Sequence, residues 1–289
     1  VAQELTAEGR TDAVVVVLLP DSGRGYLTKI FNDDWLAQYG FATGAQADAR
    51  TVGEVLRGKS GALPDLVHTH PSETVAEAVH EAGVPAGGFN LVTGLGPVAG
   101  QALAEHPGVD LVSFTGSTAV GKRIAATAGA AVKKVALELG GKSANVILPS
   151  ADLARAVNVG VANVMSNSGQ TCSAWTRMLV HRDRYDEAVE LAATAAAKYG
   201  DRIGPLVNAK QQERVRSYIE KGLAEGARLV AGGPKSPRER GYFVAPTVFA
   251  DVTPEMTVAQ EEIFGPVLSV LRYEDEEDAL RIANGTVYG

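Results

Sequence analysis

The chain has 289 residues, 45% of them apolar and 21% charged, the composition of a globular protein of one large domain or two ordinary ones. Its formal net charge of −7 argues against a nucleic-acid partner. No apolar run reaches the roughly 18 residues of a membrane-spanning helix, and no secretory signal is visible, so no membrane partner is expected. The one cysteine, Cys172, excludes an internal disulfide and any Cys–Cys or Cys–His metal spacing, and points to a reducing, cytoplasmic compartment; no metal is expected.

In chain order, residues 12–19 form a β-branched run ending at Pro20, the pattern of a buried strand. A turn follows at 21–25, a short helix is predicted at 26–31, and the small and polar stretch 40–50 reads as a linker. Thr51 and Glu54 have capping-box spacing. A short strand is predicted at 67–70 and a helix at 72–82, stopped by Gly83 and Pro85.

A regular alternation follows. Strands are predicted at 89–93, 109–115, 134–139, 144–148, 177–181, 228–231 and 266–273. Helices are predicted at 97–105, 117–128, 152–164, 185–198, 209–224 and 275–283. Strands alternating with helices of this length imply an α/β fold with parallel sheets and helices on both faces.

Four stretches carry candidate chemistry. Residues 112–121 run from an apolar strand through Gly116 into a helix opening at Ser117. Such a junction offers backbone N–H groups and a positive dipole end to a phosphate. Gly116 allows close approach, and Ser117 and Thr118 can either cap the helix or donate to a pyrophosphate. Gly94 and Gly96 make a second glycine turn one unit earlier, without the full dinucleotide fingerprint. In 137–144, Glu138 ends an apolar strand beside Gly140 and Gly141; burial there would raise its pKa toward the range useful to a base, whereas an edge position would leave it facing water. In 167–174, Cys172 follows a Gly-Gln turn between a helix and a strand, more reachable than a core thiol.

These stretches resemble known motifs. Leu-Glu-Leu-Gly-Gly-Lys-Ser-Ala at 137–144 resembles the glutamate signature of the aldehyde dehydrogenase superfamily. Ser-Gly-Gln-Thr-Cys-Ser-Ala at 168–174 resembles its cysteine signature. The two key residues, Glu138 and Cys172, have the family's separation, and residues 114–118 and 260–267 resemble two further motifs in the family's order. The likeness runs from about His80 to Gly289.

The resemblance implies NAD(P)-dependent oxidation of a small aldehyde to a carboxylic acid. Cys172 is the implied nucleophile and Glu138 the base that activates water against the thioester. NAD or NADP is the implied cofactor. Gly116, Ser117, Thr118 and Gly121 would lie by the pyrophosphate, and Val120 and Gly96 near the adenosine half. Leu139 and Gly140 would border the cofactor, Glu262 would hold ribose hydroxyls, and Phe264 would pack near the nicotinamide ribose. The family also forms homo-oligomers.

Residues 1–79 lack this likeness. Residues 14–31 look like the end of a cystathionine β-synthase catalytic domain, and 51–79 like that enzyme's linker and the start of its regulatory module. That family's pyridoxal-phosphate lysine has no counterpart, so no such chemistry is expected, and His68 and His70 read as an exposed turn. The organisation expected is therefore a cystathionine β-synthase-like segment with linker (1–79), a partial Rossmann-like dinucleotide-binding domain (80–138) and an incomplete α/β catalytic domain (139–289). The family's upstream oxyanion-hole asparagine, its ribose-binding lysine and its oligomerisation tail have no matching positions, and the loop at 199–205 looks shortened. Two other readings stand beside aldehyde oxidation: a catalytically impaired or inert chimera that at most binds a dinucleotide, and a regulatory fragment related to pyridoxal-phosphate enzymes.

Overall fold

The structure is a computed structural model that describes the backbone of Val15–Leu18, Val92 and residues 94–288. The chain divides into two compact units, Val1–Glu138 and Leu139–Gly289.

In the first unit, β1 (Val15–Leu18), β2 (Leu111–Thr115) and β3 (Lys134–Glu138) form a parallel sheet in the order β1-β2-β3. A five-residue π turn at Gly96–Gly100, with Pro97 at its start, leads into α1 (Gln101–Glu105). Proline suits that place because its missing N–H has no partner in a first turn. The crossover from β2 to β3 is α2 (Thr118–Ala130). Val112 of β2 and Ile124 and Ala128 of α2 are buried together, with Phe114, Val120 and Val135 packed against them.

In the second unit a five-stranded sheet has the order β4-β5-β8-β7-β6. Its strands are β4 (Ala144–Ile147), β5 (Arg177–His181), β6 (Arg228–Ala231), β7 (Thr247–Ala250) and β8 (Val267–Tyr273). Its helices are α3 (Leu153–Met165), α4 (Tyr185–Ala197), α5 (Ala209–Ala224), α6 (Thr257–Gln260) and α7 (Glu276–Ala283). The two-residue period of a strand divides the core between the sheet's faces. Met178, Val180, Val248, Leu268 and Val270 pack with Val157, Val161 and Val164 of α3 and Ala188 and Ala192 of α4. Leu179, Phe249, Val267 and Leu271 pack with Val215 and Ile219 of α5, Val258 of α6 and Ile282 of α7. The helices start where capping side chains stand: Ser117, Asp152, Asn208 and Asp275 each accept a hydrogen bond from the backbone N–H three residues on.

The mixed α/β architecture with parallel sheets is the expected one, with corrections. β6 runs antiparallel to β7, with an irregularity between Leu229 and Ala231. β7 and α6 were not expected. The four residues after Pro246, Thr247 followed by three apolar ones, carry no period that separates strand from helix, and a single helical turn is held by packing rather than propensity. Val92, expected in a strand, is not in one. The elements expected at 26–31, 51–54, 67–70 and 72–82, the linker at 40–50, and His68, His70 and His80 lie outside the described residues. Among the described residues no helix is long and apolar enough to cross a membrane.

Candidate active site

In the first unit the strand–glycine–helix junction expected at 112–121 is present, with Ser117 in the capping role. β2 runs into Gly116, and Ser117 caps α2, its Oγ accepting from Val120 N–H at 3.5 Å. Gly116 N–H donates to the carbonyl of Glu138 at 2.9 Å, so the carboxyl ends of β2 and β3 meet at these two residues. A side chain at Gly116 would strike the Phe114 ring, with its Cβ 2.5 Å from Cζ. Gly121 is buried in the first turn of α2, beside half-buried Thr118 and Val120. Gly96 is exposed, and a Cβ there would meet nothing within 4 Å, so packing does not require glycine at that position.

Of the two environments open to Glu138, the structure gives the exposed one. Among the described residues β3 is the last strand on its side of the sheet, and its burial falls off at both ends.

In the second unit Cys172 is half-buried. Ala174 N–H donates to Thr171 C=O at 3.1 Å, which makes Cys172 and Ser173 the central residues of a tight turn. Three consecutive left-handed residues lead into it, Asn167 (φ 49°), Ser168 (φ 57°) and Gly169 (φ 71°). Such backbone persists only where its surroundings hold it. Ser168 is buried and donates to Gly204 C=O at 2.8 Å; Gln170 donates to Asn167 C=O at 3.1 Å and accepts from Val207 N–H at 2.9 Å. The short 199–205 loop thus supports the cysteine loop directly. A Cβ on Gly169 would collide with the carbonyl of Gly265.

The same unit brings Gly140 and Glu262 together. Gly141 N–H donates to Glu262 Oε1 at 3.1 Å, and a Cβ on Gly140 would lie 2.7 Å from Glu262 Cδ. A Cβ on Gly141 would run into the carbonyl oxygen of Cys172, so the Leu139–Lys142 stretch passes between the thiol loop and the Glu262 carboxylate. Burial pushes the Glu262 carboxyl above its ordinary pKa, against the Gly141 hydrogen bond and the nearby Arg214 and Lys142 charges. Phe264 is half-buried and left-handed (φ 61°). A half-buried carboxylate beside a glycine whose missing side chain keeps it accessible suits a ligand with paired hydroxyls, and the Gly116–Ser117 turn suits a phosphate. Each group, taken within its own unit, fits one part of a dinucleotide.

Sequence reasoning passed over four residues that shape these groups. Lys142 is 2% exposed, and among the described residues its Nζ has no hydrogen-bond partner. Burial first, then the Arg177 charge, lowers its pKa to about 7 against the pull of Glu262 and Glu261. Arg177, also buried, donates to Lys142 C=O at 2.8 Å and to Ile282 and Ala283 C=O at 2.7 Å each. Gln211 donates to Ile263 and Phe264 C=O, and Arg214 to Glu262 C=O, so α5 holds the 262–264 segment by its main chain. The signal that could have revealed Arg177 was a charge opening an otherwise apolar strand; Gln211 and Arg214 read as ordinary helix-surface residues.

The comparisons with known proteins bear on the whole second unit and part of the first. The family model described as the aldehyde dehydrogenase family matches residues 66–289. A putative aldehyde dehydrogenase, DhaS, of Bacillus subtilis is 49% identical over 223 residues, covering 74% of this chain and 45% of that protein. The 3-succinoylsemialdehyde-pyridine dehydrogenase of a Pseudomonas species is 50% identical over 236 residues, 78% of this chain and 50% of that protein. A mutant of aldehyde dehydrogenase C from Pseudomonas syringae, solved with NAD+ and octanal, superposes with a TM-score of 0.72 at 47% identity, covering 74% of this chain and 46% of that one. The NAD+ complex of a Bacillus cereus aldehyde dehydrogenase gives 0.71 at 47%, covering 74% and 45%. The chain spans about half the length of the curated relatives it matches. The match begins at residue 66, so residues 66–79, expected to continue a cystathionine β-synthase-like segment, fall inside it. With two unit-level constellations built on its motifs and a family match over most of its length, the chain belongs to the aldehyde dehydrogenase family.

Proposed function

We propose that the chain carries the cysteine and cofactor machinery for oxidising a small aldehyde to a carboxylic acid with NAD or NADP. The carrying observation is the Thr171–Ala174 turn, which presents the one thiol of the chain at the end of a strained, hydrogen-bonded loop. The Cys172 thiolate attacks the aldehyde carbonyl carbon and forms a thiohemiacetal. A bound nicotinamide would supply the acceptor for the hydride that this adduct gives up. Collapse leaves a thioester on Cys172. Glu138 takes a proton from water, the water attacks the thioester carbonyl, and the acid leaves as the thiolate is restored. A thiolate serves both steps because it is a strong nucleophile and a good leaving group. The exposure of Glu138 gives that carboxylate access to water, and its place beside Gly116 ties it to the proposed phosphate turn.

Gly116, Ser117, Thr118 and Gly121 would hold the pyrophosphate, with Gly96 and Val120 toward the adenosine. Leu139, Gly140, Glu262 and Phe264 would hold the nicotinamide ribose side. This reading treats residues 80–138 as part of a dinucleotide-binding domain and 139–289 as part of a catalytic domain, in a cytoplasmic protein. The NAD+ and octanal complex of a relative supports the cofactor and substrate class. We further propose that residues 1–65, which lie outside the family match, derive from a cystathionine β-synthase-like segment joined to the rest as a chimera. That enzyme's lysine has no counterpart here, so added pyridoxal phosphate is expected to give no bound chromophore; a bound chromophore would overturn the expectation of no pyridoxal-phosphate chemistry.

The test is aldehyde-dependent growth of reduced-nicotinamide absorbance, measured against Cys172→Ala. Turnover only in the wild type supports the proposal. Cofactor binding without turnover points to the inert-chimera reading.

A further inference from the structure

We propose that Lys142 is a positioning residue for Glu262, its buried amine serving as the built-in countercharge of that carboxylate during dinucleotide binding. This rests on the reading of the chain as a nicotinamide-dependent dehydrogenase.

The geometry is local to the second unit. Lys142 follows the two glycines that border Glu262, and Gly141 N–H already holds Oε1. The main chain of Lys142 is fixed by Arg177, which is tied to the end of α7 through two carbonyls. Its side chain is buried, and its Nζ has no hydrogen-bond partner among the described residues. An ammonium in that state is costly unless charge compensates it. The charged groups acting on it are Arg177, which repels it, and Glu262 and Glu261, which attract it. Glu262 in turn faces two cations, Arg214 first and Lys142 second. Arg214 is exposed and directs its guanidinium at the Glu262 carbonyl and the Tyr218 hydroxyl, so Lys142 is the buried cation of the two. Glu261 is exposed and shares its carboxylate with the Tyr218 hydroxyl, which leaves Glu262 as the half-buried partner.

The consequence is a proton linkage. A ligand whose hydroxyls cover Glu262 withdraws water from the carboxylate, and the carboxylate then depends more on its countercharge. The amine holds its proton more tightly in the complex than without ligand. Burial has already brought this amine to about 7, so the complex takes up protons near neutral pH. By linkage, the dinucleotide binds more tightly on the acid side of that window.

The experiment is titration calorimetry of NAD+ and of NADP+ into the protein in paired buffers of different ionisation enthalpy, from about pH 6.5 to about pH 8.5. The wild type is expected to take up part of a proton and to lose about two- to sixfold in affinity across the range, the effect of one group near 7 moved by half to one pH unit. Lys142→Met is expected to show neither. Lys142→Arg, which stays charged, should restore affinity without the pH slope. A packing role alone would change affinity equally at every pH. Wild-type proton uptake and slope surviving in Lys142→Met overturn the assignment. If that variant does not fold, zero proton uptake by the wild type overturns it equally. Failure of the wild type to bind either dinucleotide refutes the dehydrogenase reading itself and takes this inference with it.

Discussion

Replacing Lys142 by methionine should make the second unit more stable, and by an amount that depends on pH. Methionine approximates the volume of the lysine stem, so the main change is loss of an amine buried without a hydrogen-bond partner among the described residues. The amine titrates at about 7 in the folded protein against 10.5 for an ordinary lysine. That displacement of about 3.5 pH units corresponds to about 5 kcal/mol at 1.36 kcal/mol per unit. The sign follows from proton counting. Between about pH 7 and 10.5 the unfolded chain keeps a proton that the folded protein has lost, so wild-type stability climbs with pH across this window relative to the variant. Below about pH 7 both states are protonated and the wild type carries the whole penalty. At pH 7, where the folded amine is half titrated, about 4.4 kcal/mol of it remains, and at pH 9 about 2 kcal/mol, so the gap between variant and wild type should shrink by about 2 kcal/mol from pH 7 to pH 9. Urea unfolding at the two pH values, followed by Trp175 fluorescence in a Trp35→Phe background, measures that difference, and any constant packing change cancels from it. A gap unchanged between pH 7 and pH 9 would refute the burial argument.

Gly140→Ala places a methyl against the Glu262 carboxylate and should weaken NAD+ binding by about tenfold, the scale of one charge-assisted hydrogen bond, as calorimetry would register. Gly169→Ala forces a left-handed alanine into the carbonyl of Gly265 and should cost at least about 1 kcal/mol in urea unfolding; an unchanged midpoint contradicts the tight approach of the cysteine loop to residue 265. Arg177→Met strips three carbonyls of their donor and should destabilise by about 3 kcal/mol or more in the same assay.

The strand–helix alternation from residue 97 onward was legible because each element carries a local signature. α5 and β6 fall at the expected residues, and β5 opens at Arg177 as expected, since periodicity and capping residues such as Asn208 are properties of neighbours in sequence. The motif residues were legible for a similar reason: Gly116, Glu138, Cys172 and Glu262 stand in short strings whose order alone carries the family likeness. What those strings left open is environment. Glu138 at an apolar strand end allowed either burial or an edge, and its place on β3, the last strand on its side among the described residues, goes with exposure.

The amino-acid sequence by itself determined the α/β class, most element positions and the identity of the thiol, carboxylate and glycine motifs, because these depend on interactions a few residues apart. Only the tertiary structure decided that β6 runs antiparallel, that Gly141 passes the backbone of Cys172 on its way to Glu262, and that Lys142 is sealed in the interior. Those outcomes arise from contacts between segments distant in the chain, such as Gly141 with Glu262 and Arg177 with Ile282, where desolvation and main-chain hydrogen bonding set the chemistry of a side chain whatever its neighbours in sequence.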